Sequence, residues 1–191
     1  LPATAAEADA QLHRRVELVG RWAPTHTVWL DNRQMNGRPG FVVLTPLLLD
    51  DGSAVLVQRG WQPRHFQDRA QIAPVPTPEG SVAVAGRMAS SPARLYDFEG
   101  AASGPIRQNI DVAAYAAETR LRLRPFTLLQ TSGSENGSDD GLQRDWPAPS
   151  SGVAKHQGYA FQWFGLSALT VILYVWFQLI QPRRERRRRA R

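Results

Sequence analysis

The stretch from Gly158 to Ile180, GYAFQWFGLSALTVILYVWFQLI, constrains this chain more than any other segment. It contains no Asp, Glu, Lys or Arg, and as an α-helix its residues from Phe161 onward would span about 30 Å, the thickness of a bilayer's hydrocarbon core. Aromatic side chains cluster near both ends, as they do at membrane interfaces. A buried core helix is the alternative, but a helix that is apolar on all sides suits a domain of this size poorly. The sequence therefore predicts a transmembrane helix over residues 153–181.

The net charge of the chain is concentrated at its C-terminus. The formal charge is +6, and residues 183–191 contain seven Arg and one Glu. Without them the chain has sixteen basic and sixteen acidic side chains, which argues against a nucleic-acid-binding surface. Basic clusters that follow an apolar helix mark its cytoplasmic end and attract anionic lipid headgroups. We therefore predict a cytoplasmic tail over residues 182–191, export of everything before the helix, and membrane lipid rather than nucleic acid as a partner.

The chain contains no cysteine, which excludes disulfides, thiol catalysis and Cys-ligated zinc. It begins at Leu1 without an apolar run. A domain exported ahead of a helix with a cytoplasmic C-terminus needs an upstream signal or anchor. We therefore expect an N-terminal transmembrane helix upstream of the numbered residues, with residues 1–13 as the linker from it.

Residues 14–130 have the pattern of one exported β-rich domain, in which short apolar segments alternate with turn residues. The predicted strands are Arg15–Trp22, Thr27–Leu30, Phe41–Leu49, 54–60, Ser81–Met88 and Phe126–Gln130, with a short segment at Ile106–Ile110 and a helix from the cap Asp111 to Thr119. The predicted fold class is α+β, with an antiparallel sheet or a partly open barrel followed by the membrane helix.

The connections between these elements are also predicted from turn and loop residues. Residues 31–40 are a predicted turn, in which Asn36-Gly37 can supply positive φ, and the segments 41–49 and 54–60 are expected to pair as a β-hairpin. Pro46 is expected to interrupt the first strand of that hairpin. Long loops are predicted over 62–80, 89–104 and 131–152, the last of them a flexible loop before the membrane helix.

The sequence lacks the motifs of the common enzyme classes. It contains no G-x-S-x-G elbow, no Walker loop, no G-x-G-x-x-G and no H-E-x-x-H. The acidic pairs lie in turn-like contexts, and His13, His26 and His65 have no partner at metal-binding spacing. We therefore predict that the protein is not an enzyme.

His156 differs from the other histidines in its position, about one turn before the apolar segment. Helical spacing places it on one face with Tyr159 and Trp163. An imidazole at the outer membrane interface, beside two aromatic rings, can act as an axial ligand of haem iron. The alternative is an interfacial histidine that anchors the helix together with Lys155.

Short fragments spread along the chain form a pattern that none of them carries alone. They are Gly20-Arg21-Trp22, Asp31-Asn32-Arg33, Gly37 with Pro39-Gly40-Phe41, Leu44-Thr45-Pro46-Leu47, Val55 to Trp61 (VLVQRGW), Val84-Ala85-Gly86, and His156 with Tyr159 and Trp163 to Ala168 (WFGLSA). In their order and spacing they resemble the Surfeit locus protein 1 family, membrane proteins that assist assembly of haem-copper cytochrome c oxidase. Gln58 replaces the Asn usual in this family before Arg-Gly-Trp, and residues 89–150 match loosely.

The resemblance implies two membrane helices that flank an exported β-rich domain. It also implies a role in delivering haem a to, or inserting it into, subunit I of the oxidase, so that the partners are oxidase subunits. The family's proposed haem ligand, a histidine at the start of the second helix, corresponds to His156, and Tyr159 and Trp163 belong to the adjoining motif. The chain has 22 Arg and one Lys, a bias typical of GC-rich bacterial genomes, so the expected location is a bacterial plasma membrane.

A structural role without haem is the competing hypothesis. The protein would then be an accessory subunit or clamp of the oxidase or of a respiratory supercomplex. Its docking surface would include the turn residues Asn32 and Arg33 and the hairpin end at Arg59, Gly60 and Trp61. Arg59 has a second possible role, as a partner of haem propionates.

Overall fold

The computed structural model describes residues 1–65, 72–92, 95, 104–131, 140–147, 153–176 and 178, with only the backbone described at 153–157 and 175. The chain divides into two compact units, Leu1–Trp146 and Pro147–Arg191. The elements in chain order are α1 (Ala5–Asp9), β1 (Arg15–Trp22), a 3₁₀ turn (Pro24–His26), β2 (Val28–Met35), β3 (Arg38–Leu48), β4 (Ala54–Pro63), β5 (Ser81–Ala89), β6 (Ile106–Arg107), α2 (Val112–Thr119), β7 (Leu123–Gln130) and α3 (Val153–Val175).

Five strands of the first unit form a closed barrel. They are neighbours in the order β1-β5-β7-β4-β3, and β1 pairs with β3 to close the ring. β2 and β6 extend the sheet from β3. The β-rich fold class is thus confirmed, but the barrel is closed rather than partly open. The sheet is also not wholly antiparallel, because the pairs β4–β7 and β2–β6 are parallel.

Two apolar cores lie on opposite faces of this sheet. The barrel interior is filled by buried side chains from all five of its strands and from α1: Ala8, Leu18, Trp22, Leu47, Val55, Val57, Val82, Val84, Met88, Phe126 and Leu128. The second core covers the other face of β4: Val28, Leu30, Leu44, Leu56, Ile110 and Tyr115. The alternation of inward and outward side chains along β3 and β4 therefore places residues of these two strands in both cores.

The helix α2 completes the second core and was predicted correctly. Asp111 caps it, with its Oδ1 accepting a hydrogen bond from the Ala114 backbone N–H at 2.9 Å. Tyr115 points inward, and its hydroxyl donates to the His26 carbonyl oxygen. Burial raises the pKa of Tyr115 to about 12, which keeps this donor neutral.

The predicted turn over residues 31–40 is wrong in its extent. β2 continues to Met35, because Asn32 adopts a positive φ of 59° and absorbs a β-bulge within the strand. The turn itself is confined to Asn36 and Gly37, whose φ angles of 51° and 75° match the expected positive values. Asn tolerates this conformation better than most residues, so the turn-like composition at Asn32 marks a bulge rather than an end of the strand.

The remaining strand predictions are confirmed, β1 with its predicted bounds and the others with shifted bounds. β3 and β4 pair as the expected hairpin, and Pro46 lies inside β3, where its carbonyl oxygen accepts from the Ala23 N–H at 2.9 Å. The ladder irregularity expected at Pro46 lies instead between Val43 and Leu44. The segment predicted at Ile106–Ile110 is reduced to the two residues of β6, and β7 begins earlier than expected.

The second unit contains α3, a helix of 23 residues. Its described side chains are exposed, including Phe161 at 81% and Phe164 at 76%. Among the residues that the structure describes, no helix is both long and apolar enough to cross a membrane. The predicted tail over 182–191 lies outside the described residues, as do 132–139 and 148–152 of the predicted loop.

Closure of the barrel requires glycine at position 20, where β1 approaches β3. A Cβ on Gly20 would lie 2.4 Å from the carbonyl oxygen of Leu48 and 3.0 Å from Cγ of Leu47. We predict that Gly20→Ala lowers the free energy of unfolding by about 1–3 kcal/mol, since backbone on the facing strand must move.

Thermal or denaturant unfolding of the full chain, followed by circular dichroism, measures this effect. Gly158→Ala is the matched control, because a Cβ there meets no atom within 4 Å and alanine favours the helix. Equal unfolding midpoints for Gly20→Ala and the wild type would contradict the described closure.

Candidate functional site

The first pair of predicted docking residues lies at the bulge in β2, with Asn32 inside it and Arg33 directly after it. Asn32 is exposed at the positive-φ position, where the β2–β3 register shifts. Arg33 is half-buried, and its Nη2 donates to the Gln108 carbonyl oxygen at 2.7 Å. Burial lowers the pKa of the Arg33 guanidinium. Asn32 is thus a surface residue, whereas Arg33 is tied into the fold.

Arg59 lies on a second bulge, which is in β4 where the β3–β4 register shifts. Val43 pairs with Gly60 and Leu44 pairs with Gln58, so Arg59 is the extra residue of β4. A bulge redirects the side chain that it carries. Arg59 is 2% exposed, so the guanidinium predicted to dock a partner is inside the protein.

Trp61 connects β4 to the bulged part of β2. Its side chain is fully buried, and its Nε1 donates to the carbonyl oxygen of Arg33 at 2.9 Å. Gly40 leaves room for the ring, since a Cβ there would lie 2.4 Å from Cζ2 of Trp61. The sequence placed Arg33 and Trp61 in one group, and the structure brings them into direct contact.

The Arg59 guanidinium is surrounded by protein groups. Nη1 donates to Oγ1 of Thr77 at 2.7 Å and Nη2 donates to the Pro76 carbonyl oxygen at 2.9 Å. Its Cζ lies 4.7 Å from the centroid of the Trp22 ring, a cation–π contact, and Nη2 lies 3.6 Å from Oδ2 of Asp140. Burial lowers the pKa of Arg59, and the Asp140 carboxylate partly offsets this effect.

The segment Asp140–Trp146, which we call the strap, covers β4 at this point. Trp61 and Gln143 exchange two backbone hydrogen bonds, each of 2.8 Å. Leu142 is buried against Gly60, where an added Cβ would lie 2.6 Å from Cβ of Leu142. The strap therefore acts as a short additional strand beside the end of β4.

Side chains also hold the strap in place. Arg144 donates from Nε to the Arg59 carbonyl oxygen at 2.8 Å and forms an ion pair with Asp140 at 2.5 Å. Trp146 donates from Nε1 to the Gln130 carbonyl oxygen at 2.6 Å. Sequence reasoning missed this cluster, and the only local signal was the i, i+4 spacing of Asp140 and Arg144.

The predicted haem-binding residues lie in the other unit, on α3. Tyr159 is 62% exposed and Trp163 is 70% exposed. Their spacing of four residues places them on one helix face, and the backbone of His156 lies in the same helix, one turn before Tyr159. The His156 side chain lies outside the described part of the structure.

The two groups of predicted residues differ in what they can do chemically. Apart from the exposed Asn32, the barrel group holds strands and the strap together through buried contacts. The helix group presents two accessible aromatic rings, which can pack on a flat apolar ligand, and a histidine in the same helix is a residue type that ligates haem iron. Within the described residues, no three His, Cys, Asp or Glu side chains form a metal-binding cluster. Axial ligation of haem iron needs only one histidine side chain.

These features define a small β-barrel protein with an attached apolar helix that exposes aromatic rings. The model of the SURF1 family matches residues 1–168, so the chain belongs to the SURF1 family, which is linked to cytochrome c oxidase assembly. This finding confirms the resemblance seen in the sequence fragments.

Two curated relatives agree with the family match. A SURF1-like protein of Rickettsia bellii (strain RML369-C) is 24% identical over 164 residues, which cover 85% of this chain and 67% of the relative. A SURF1-like protein of Rickettsia felis (strain ATCC VR-1525 / URRWXCal2) is 23% identical over 171 residues, which cover 87% of this chain and 74% of the relative.

The buried carboxylate of Asp140 should contribute more to stability than an exposed one. Asp140→Asn removes the negative charge shared by Arg59 and Arg144, whose side chains are 3% and 15% exposed. We expect a loss of about 3–5 kcal/mol in the free energy of unfolding, because Arg59 remains buried without the carboxylate that pairs with it.

The matched control is Asp51→Asn, which breaks the ion pair of Asp51 with Arg124. That carboxylate is 50% exposed, so water screens the pair and the loss should be much smaller. Urea unfolding of both variants at neutral pH makes the comparison. A larger loss for Asp51→Asn than for Asp140→Asn would contradict the described role of the strap.

Proposed function

We propose that this protein is an assembly factor for haem-copper cytochrome c oxidase that aids delivery of haem a to subunit I, or its insertion there. Membership of the SURF1 family supports the assembly role. The observation that supports haem handling is the exposed pair Tyr159 and Trp163, on the helix that also contains His156. No catalytic step is assigned to the protein.

In this proposal the chain's own residues bind and orient haem a, which is the cargo. His156 supplies one axial ligand, and the rings of Tyr159 and Trp163 pack on the macrocycle. A single exchangeable ligand favours transfer to the oxidase, whereas an iron with both axial positions filled by this protein would resist it. Haem a is strongly apolar, so a carrier should hold it at the level of the lipid.

We further propose that α3, with the apolar residues that follow it to Ile180, lies in the bacterial plasma membrane. Exposed side chains such as Phe161 and Phe164 form an apolar surface that water solvates poorly. The arginines after Pro182 would then mark the cytoplasmic side, and the barrel would lie on the exported side. The apolar surface also supports contact with membrane lipid and with helices of the oxidase.

A structural clamp is the second candidate function. The exposed apolar surface of α3 can pack against oxidase helices without any haem, and Asn32 remains on the barrel surface as a docking residue. In this case the protein would be an accessory subunit of the oxidase or of a supercomplex.

Haem binding by the purified protein separates the two functions. The full chain is co-expressed with the enzymes of haem a synthesis, purified in detergent, and its absorption spectrum is recorded. We expect bound haem a in the wild type and its loss in His156→Ala, because the axial ligand is removed. His65→Ala is the control, since that exposed histidine lies in the barrel unit, and it should retain haem.

Equal haem content in His156→Ala and the wild type would contradict the assignment of His156. A haem-free wild type that still co-purifies with oxidase subunits would instead support the clamp.

A further inference from the structure

A buried arginine, Arg59, and a partly buried one, Arg144, share one carboxylate. Asp140 Oδ2 lies 2.5 Å from Nη2 of Arg144 but 3.6 Å from Nη2 of Arg59. The side chains of Arg59 and Asp140 are 3% and 9% exposed, and that of Arg144 is 15% exposed. Among the described residues, these two arginines and one carboxylate leave an excess of one positive charge, and a buried charge is unfavourable unless it has a partner.

The same place contains two buried donors that lack acceptors. Among the described residues, neither Nε of Arg59 nor Nε1 of Trp22 has a hydrogen-bond partner. Arg59 is 2% exposed and Trp22 is 7% exposed. Both groups can only donate, so each requires an acceptor. A buried donor without an acceptor costs free energy.

These two donors lie on groups that stack on each other. Cζ of Arg59 is 4.7 Å from the centroid of the Trp22 ring. Nε is bonded to Cζ, and Nε1 is an atom of the indole over which Cζ lies, so an acceptor shared by the two N–H groups would lie at the edge of this pair. The other two guanidinium nitrogens donate hydrogen bonds to Thr77 and to Pro76. This leaves Nε as the donor for that acceptor.

We propose that Arg59 and Trp22 form an internal binding site for a small monovalent anion of the halide class. One negative charge neutralises the excess positive charge of the cluster, and an anion accepts hydrogen bonds from both donors. A cation is disfavoured by the charge of the cluster. A water molecule would satisfy the donors but would leave the charge uncompensated. This site is separate from the proposed haem-binding residues, so its test does not depend on the proposed function.

Chloride binding to the purified full chain tests the proposal. The ³⁵Cl NMR linewidth reports exchange of chloride with a protein site, and Trp22→Phe removes the Nε1 donor while retaining an aromatic ring for Arg59. Trp29→Phe is the matched control, because Nε1 of Trp29 is also buried without a partner among the described residues but the described arginine–aromatic stacks involve Trp22 and Tyr115.

We expect excess line broadening for the wild type and for Trp29→Phe, its loss in Trp22→Phe, and its displacement by bromide. Equal broadening by all three proteins would overturn the proposal.

Thermal stability of the wild type gives a second readout that needs no variant. A ligand that binds the folded state raises the unfolding midpoint. Once the ligand concentration exceeds the dissociation constant, the stabilisation grows with the logarithm of that concentration. The midpoint should rise with sodium chloride more than with sodium gluconate at equal ionic strength, because the larger anion does not enter the buried site. Identical dependence on the two salts would overturn the proposal even if Trp22→Phe fails to fold.

Discussion

The structure of the barrel unit depends on covering both faces of β4, in which nine of ten residues are buried. Val55 and Val57 face the barrel interior, whereas Leu56 faces the core under α2. β4 also needs a neighbour along both edges, because unpaired buried backbone groups are costly. Its pairing with β7 ends at Gln58, and from there the strap takes over the free edge.

This constraint explains why the Arg-Gly-Trp segment is inside the protein. The bulge at Arg59 comes directly after the last residue paired with β7, and it directs the guanidinium onto Trp22. Gly60 makes room for Leu142 of the strap, and Trp61 fastens β2 to β4. Partner binding by these residues stays a prediction. Their described contacts are with the protein itself, and Asn32 is the most exposed member of the group.

Local sequence signals correctly predicted the elements that are determined by residues close together in the chain. The bounds of β1, the β3–β4 hairpin and the capped helix α2 follow from alternation, turn residues and Asp111. Closure of the barrel, the parallel β4–β7 pair and the strap depend on residues far apart in the chain; the Arg59–Arg144 contact, for example, spans 85 positions. The turn over residues 31–40 was predicted too long because Asn, as at position 32, occurs both in turns and in β-bulges. His156 was identified by its position and by the family resemblance, and its role stays a prediction.

The proposed export of the barrel is directly measurable, because the chain contains no cysteine. Single cysteines are introduced by Val19→Cys, at a barrel position that is 55% exposed, and by Ala190→Cys in the arginine-rich tail. A membrane-impermeant maleimide applied to intact spheroplasts should label Val19→Cys, and it should label Ala190→Cys only after permeabilisation. Labelling of Ala190→Cys in intact spheroplasts, with Val19→Cys protected until permeabilisation, would contradict an exported barrel tethered by α3.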